Sequence, residues 1–205
     1  ATVAASRTQA LVAWQGGGEV HLRAVPGMVR SRFDAGPNAT SLSVGDADGG
    51  FLVTWVDGST RGLATLVDPV TLVPGVVDQL GTTGTAAMRA VSRPTERIAT
   101  TYRDSGDFQL QRFTGSFWAS TVWPPTGLGG FVPFTTATDA ALVSLSRSAS
   151  GNFVIAAPLG APAMTSPPIL FSLAPTLPVA LAHSGTHAVA LVVADARVSA
   201  QPFFI

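Results

Sequence analysis

Few residues of this 205-residue chain are of a type and spacing that could do chemistry. Three arginines stand in similar turns, Ser6-Arg7-Thr8, Ser92-Arg93-Pro94 and Ser146-Arg147-Ser148. Gathered at one end of a structure, Arg7, Arg93 and Arg147 would hold an anion through bidentate hydrogen bonds. The plainer reading is three solvated turn arginines carried along by a repeat, their mutual field screened at the surface. Trp14, Trp55 and Tyr102 close three similar apolar runs. An aromatic repeated at one slot either fills the gap between packed elements or stacks on a sugar ring. The longest connection, Phe113 to Phe134, carries Phe117, Trp118, Trp123, Phe131 and Phe134 around Pro124-Pro125. It either packs over the end of the structure or protrudes, and aromatics on a rigid loop anchor binding surfaces. The ligand-binding candidates are therefore Trp118, Trp123, Trp14, Trp55 and Tyr102, and the anion-binding candidates Arg7, Arg93 and Arg147.

Other chemistries find too few groups. Gly45-Asp46-Ala47-Asp48-Gly49-Gly50 offers two carboxylates without a later acidic ligand, so Asp/Gly turn chemistry accounts for it as well as calcium does. His183 and His187 face each other across a hairpin, but zinc requires more ligands than two. No metal or other cofactor is expected. Glutamate occurs only as Glu19 and Glu96, and neither a Ser-His-Asp arrangement nor a phosphate cradle is visible, so the reading is non-enzymatic, with glycoside hydrolysis the least supported of three functions. Formal net charge is zero and every cation is an arginine, which supplies neither a basic face for nucleic acid nor a polybasic membrane anchor. No apolar run approaches the roughly 20 residues of a spanning helix. With no cysteine, stability has to come from burial and backbone pairing, and the redox compartment is left open. A chain opening on Ala1 reads as a processed product or a piece of something longer.

The elements that position these residues repeat. Thr8–Trp14, Gly50–Trp55, Glu96–Tyr102, Asn152–Ala157 and His187–Val192 are alternating apolar runs about 40 residues apart, the signature of stacked supersecondary units. Each run is preceded by a first strand, at Thr2–Ala5, Ser41–Val44, Ala87–Val91, Ala141–Leu145 and Pro178–Ala182. Each is followed by a third, at Glu19–Val25, Arg61–Val67, Asp107–Phe113, Ile169–Ala174 and Arg197–Phe203. Fourth strands are expected only in the first three units, at Val29–Phe33, Val76–Leu80 and Phe117–Val122. The turns between are rich in Gly, Asp and Ser, as hairpins require, and no stretch carries helical periodicity. The expectation is an all-β, β-propeller-like array of about five short antiparallel blades of three to four strands. It forms one domain with units near 1–39, 40–85, 86–139, 140–176 and 177–205. A β-sandwich and a fragment of a larger propeller are the alternatives.

Runs such as Gly50-Phe51-Leu52-Val53-Thr54-Trp55-Val56-Asp57-Gly58 followed by Arg61-Gly62-Leu63-Ala64-Thr65-Leu66-Val67-Asp68-Pro69 resemble bacterial and phage repeat proteins, including lectin-like propellers, surface proteins and tail appendages. The resemblance implies a display scaffold on a cell surface or virion, outside the cytoplasm. Its partners would be the other protein subunits of that assembly, with glycans as the alternative ligand of a lectin. Arginine clusters on propellers are also similar to those of sialidases, but Tyr102 closes a run at the blade end opposite the arginine turns, so no nucleophile couple forms.

Overall fold

In the computed structural model the described residues are 1–6, 8–80, 83–103, 108–123, 134–137, 141–148, 151–158, 169–173, 177–184, 187–194 and 197–204. From 121 onward the description is of backbone course and pairing. All regular structure among them is β-strand, and no helix occurs. Two compact units divide the chain, Ala1–Val122 and Trp123–Ile205.

The first unit contains three antiparallel meanders. Sheet one is β1 (Thr2–Ala5), β2 (Ala10–Gly16), β3 (Glu19–Val25) and β4 (Arg30–Asp34), in that spatial order. Sheet two is β5 (Thr40–Ala47), β6 (Gly50–Val56), β7 (Gly62–Val67) and β8 (Pro74–Gln79). Sheet three is β9 (Thr85–Val91), β10 (Ile98–Arg103), β11 (Phe108–Phe113) and β12 (Trp118–Trp123). The fourth strands expected near 29–33, 76–80 and 117–122 are thus present.

Alternation decides which side of each sheet is buried, because successive side chains point to opposite faces. Leu11, Ala13, Val20 and Leu22 of sheet one form one core cluster with Phe51, Val53, Trp55 and Val67 of sheet two. Leu52, Val56 and Ala64 on the other face of sheet two pack with Met88, Ala90 and Ala99 of sheet three. Sheet two is consequently covered on both faces. Every residue of β6 beyond Gly50 is buried, as a near-continuous apolar strand demands.

The inner strands β5 and β9 approach closely. Ser41 Oγ accepts from the Met88 amide (2.9 Å) and Ser43 Oγ from the Ala90 amide (3.2 Å). A Cβ on Gly45 would lie 2.9 Å from the Val91 carbonyl carbon, so this approach requires glycine. Between sheets one and two, the amides of Gln9 and Gln15 donate to the Pro69 and Ala39 carbonyls.

The second unit holds sheet four, β13 (Phe134–Ala137), β14 (Ala141–Ser148), β15 (Gly151–Pro158) and β16 (Ile169–Leu173), and the three-stranded sheet five, β17 (Leu177–Ser184), β18 (His187–Ala194) and β19 (Arg197–Phe204). Sheet four corrects the sequence alignment. Its additional strand, β13, comes before the expected first strand and pairs with it, Phe134 opposite Leu145 and Ala137 opposite Leu142. The run Asn152–Ala157 is therefore third in its sheet, whereas Thr8–Trp14 and Gly50–Trp55 lie in second strands. This four-residue strand, Phe-Thr-Thr-Ala, lacks the apolar pattern of the others and so carries no mark of the repeat in its sequence.

Candidate functional site

The repeated aromatic slot separates into three environments. Trp55 is 1% exposed, tilted against Phe33 at 5.2 Å between ring centres, and its indole N–H donates to the Ala35 carbonyl (3.2 Å). Trp14, at the same slot in sheet one, is 37% exposed and stacks on His21, 5.3 Å between centres and 10° from parallel. Tyr102 does not belong to the row. Ala99 packs toward sheet two, and Tyr102, three positions further along the same strand, points to the opposite face. The hairpins show why. Val56 pairs with Gly62 and Tyr102 with Phe108, so each bounds a five-residue connection and Tyr102 corresponds to Val56, one place beyond Trp55. A slip of one residue flips a strand's side chains.

The arginines also part company. Arg93 bridges to Ala47 of sheet two, its amide donates to the Asp46 carbonyl (2.7 Å), and its Nε lies 2.8 Å from Glu96 Oε2. Arg147 lies near the end of β14 opposite Asn152, at the connection between second and third strands, whereas Arg93 follows a first strand. The two are not equivalent positions of the repeat. Arg7 and the side chains of Arg147 and Trp123 lie outside the described residues. His183 and His187 sit at the β17–β18 hairpin, and their side chains also lie outside that description. Asp46 lies in β5 and Asp48 in the tight β5–β6 turn that follows, where Ala47 pairs with Gly50. Among the described residues no three metal-ligating side chains converge.

Trp118 begins an edge strand, where the sequence allowed either a strand or a protruding loop. It is half-buried against the core between sheets two and three and tilted on Phe113 at 5.5 Å. Its indole N–H donates to Asp78 Oδ2 (2.9 Å), joining the outer strands of the two sheets.

Among the described residues, a cleft lies on each side of sheet two. The cleft toward sheet one, about 410 Å³, is lined by Asn38, Trp55, Asp57 and Arg61 among others. Its carboxylate is fully occupied: Asp57 accepts from the Ser59 amide (2.9 Å), the Arg61 amide (2.9 Å) and Arg61 Nε (2.7 Å). Burial acts to raise the Asp57 pKa, but the Arg61 amide, the Arg61 guanidinium and the Ser59 amide together hold it below the ordinary carboxylate value. A Cβ on Gly58 would meet the Pro37 carbonyl oxygen, so this hairpin tip rests directly on the connection from β4 to β5.

The groove toward sheet three is about 870 Å³ and more open. Its walls are Leu66, Val73, Pro74 and Val76 on one side and Arg97 and Phe113 on the other, with Asp68, Thr71, Asp78 and Ser116 supplying polar atoms. Arg97 lies over the Phe113 ring, 4.9 Å to its centre, and its Nε donates to the Asp48 carbonyl (3.0 Å). Asp68 is exposed, and hydrogen bonds from the Thr71 amide and hydroxyl and the Val70 amide hold its pKa low, so it is an anion at neutral pH. All three of those bonds fall on Oδ1. A guanidinium stacked on a phenyl ring, two carboxylates and two hydroxyls around an apolar wall can hydrogen-bond a polyol and pack its carbon face. Among the described residues this groove has the best-furnished chemistry. The sequence signalled only its neighbour Trp118; Arg97, Phe113, Asp68 and Asp78 come from separate strands and loops of two sheets.

No protein-family model matches the chain, and neither does any curated protein. Solved structures do. A lectin from the fungus Aleuria aurantia, a six-bladed β-propeller with a fucose recognition mode, is 12% identical; the match covers 100% of this chain and 77% of that one with a TM-score of 0.66. A mutant of the same lectin in complex with α-methyl-L-fucoside is matched over 100% and 76% at 12% identity and a TM-score of 0.63. The WD40 domain of SCAP from fission yeast is matched over 95% and 61% at 9% identity and a TM-score of 0.53. The chain has the β-propeller type of fold, with antiparallel sheets as its units, and spans part of the length of these propellers.

Proposed function

We propose that this chain is a non-enzymatic glycan-binding module of lectin type, and that the groove between sheets two and three is one of its sugar sites. The observation that carries this reading is the Arg97–Phe113 stack facing Asp68 and Asp78 across an apolar wall. Sugars need that combination: charged planar groups that grip adjacent hydroxyls, and an apolar surface under the ring. The likeness to a fucose-recognising propeller supports a neutral sugar as ligand. Display outside the cytoplasm, on a bacterial surface or phage particle, is the setting in which such a module acts.

A glycan array tests the reading. Binding to a defined set of neutral glycans, reduced at least about tenfold by Arg97→Ala, is the expected result, since a hydrogen bond to a charged group contributes about 1.5–3 kcal/mol. An array blank for every sugar would defeat it. A second reading, a recognition and assembly module binding other protein subunits, is favoured by the apolar outer face of sheet one, where Val3, Trp14 and Val25 are exposed.

A further inference from the structure

The connection from β7 to β8, residues 68–73, holds one carboxylate rigidly at the wall of the groove between sheets two and three. Asp68 Oδ1 accepts from the Val70 amide (2.9 Å), the Thr71 amide (2.7 Å) and the Thr71 hydroxyl (2.9 Å). The Asp68 amide donates to the Val73 carbonyl and the Leu72 amide to the Asp68 carbonyl, both at 3.0 Å. Leu72 is fully buried, and the side-chain amide of Gln9 donates to the Pro69 carbonyl, so the connection is anchored in the core and to the segment leading into β2. Three donors on one oxygen fix the plane of the carboxylate. Among the described residues no bond falls on Oδ2, and Asp68 is exposed, so this second oxygen faces a ligand as a fixed acceptor.

The opposite wall ends in the complementary group. Arg97 lies over the Phe113 ring, its Nε donates to the Asp48 carbonyl, and a Cβ on Gly49 would come within 3.4 Å of its Nη2. Held on these sides, the guanidinium presents its terminal nitrogens as fixed donors. All of these residues belong to two adjacent sheets within Ala1–Val122. Charge then decides what can enter: among the described residues the charged side chains lining the groove are Asp68, Asp78 and Arg97, two carboxylates against one guanidinium. Asp78 is engaged through Oδ2 by the Trp118 indole, which leaves Asp68 as the more open anion.

We propose that Asp68 is the specificity-determining residue of this groove: its open oxygen accepts from a ligand hydroxyl, and its charge turns away glycans that carry a carboxylate or sulfate at that place. The inference rests on the groove being a sugar site. A hydroxyl both donates and accepts, so it satisfies Asp68 and Arg97 alike; a carboxylate or sulfate ester satisfies Arg97 but is repelled by Asp68. Discrimination needs such a repulsive element beside the attractive one, and a carboxylate oriented before binding supplies it without further ordering.

The test is Asp68→Asn. The Asn carbonyl oxygen can accept the three bonds that Oδ1 accepts, which puts the amide nitrogen in place of Oδ2 and changes the presented group from an anionic acceptor to a neutral donor. Wild type, Asp68→Asn and Arg97→Ala are compared on one array of neutral, uronic-acid and sulfated glycans, with unfolding midpoints recorded. The wild type is expected to bind neutral glycans only. Asp68→Asn is expected to keep the wild-type midpoint, to bind the neutral glycans at least about tenfold more weakly, and to raise the acidic-to-neutral binding ratio at least about tenfold. Asp68→Ser, whose hydroxyl can accept from the same amides without the charge, is expected to raise that ratio too. A ratio unchanged in both variants, or a wild type that binds acidic glycans as well as neutral ones, overturns the proposal; if neutral binding is still lost on Arg97→Ala, the sugar site itself stands. An array blank for every sugar overturns both.

Discussion

The two junctions on either side of sheet two use the same backbone scheme in opposite ways. At the junction with sheet one the polar groups are turned on the protein itself: Trp55 bonds the Ala35 carbonyl in the connection from β4 to β5, and Asp57 is saturated by its own hairpin. At the junction with sheet three, Asp68 and Thr71 are exposed, and Arg97 is held by the Phe113 ring and the Asp48 carbonyl at the edge of the larger groove. The first junction is built for stability. The second keeps hydrogen-bonding capacity facing solvent, where a ligand can use it, while the scaffold beneath is fixed by Trp118 and Asp78.

Substitutions at the two junctions should separate these roles. The largest loss of stability is expected for Trp55→Ala, about 3–5 kcal/mol by denaturant titration, because a buried indole is replaced by a cavity and the Ala35 carbonyl loses its donor. Trp14→Ala, at the equivalent slot on the open face, should cost far less in the monomer; equal losses would erase the distinction between the two tryptophans.

Asp57→Asn should follow, at about 2 kcal/mol at neutral pH, discounted because Arg61 is half-exposed. Its pH dependence has a definite sign. The folded pKa of Asp57 is lowered, so its contribution is fully present above the unfolded carboxylate pKa of about 3.9 and is lost as pH falls through the folded value. The wild type should therefore lose more stability than the Asn variant between neutral and strongly acidic pH. Asp68, also lowered, acts in the same direction in both proteins.

Trp118→Phe keeps the ring on Phe113 but removes the bond to Asp78, and should cost about 1 kcal/mol. Arg97→Ala should fall within about 0.5 kcal/mol of wild type, since it removes a surface contact rather than core. A destabilisation by Arg97→Ala as large as that by Asp57→Asn would mean that both junctions are structural.

Much of the fold was legible because the strands announce themselves. β1 and β3 begin and end where alternation and flanking turn residues put them, at Thr2–Ala5 and Glu19–Val25. Two errors have physical causes. Spacing from the first strand put Tyr102 in the tryptophan slot, but register is set by the pairing of Tyr102 with Phe108, which spacing does not reveal. Arg147 was matched to Arg93 because the two share a Ser-Arg turn, while β13 moves the whole of sheet four along by one strand. The groove was less legible still. Phe113 and Asp78 lie on different sheets and Arg97 in a turn, and only the packing of one sheet on the next brings them together. Trp118 stood out by residue type, but its bond to Asp78 spans 40 residues and left no local trace.

The most direct test of the sugar-site assignment is the affinity of one array-identified neutral glycan, measured by calorimetry for the wild type and for Arg97→Ala, with the unfolding midpoint of both proteins recorded alongside. The account predicts affinity reduced at least about tenfold at an unchanged midpoint. Equal affinity in the two proteins would contradict it.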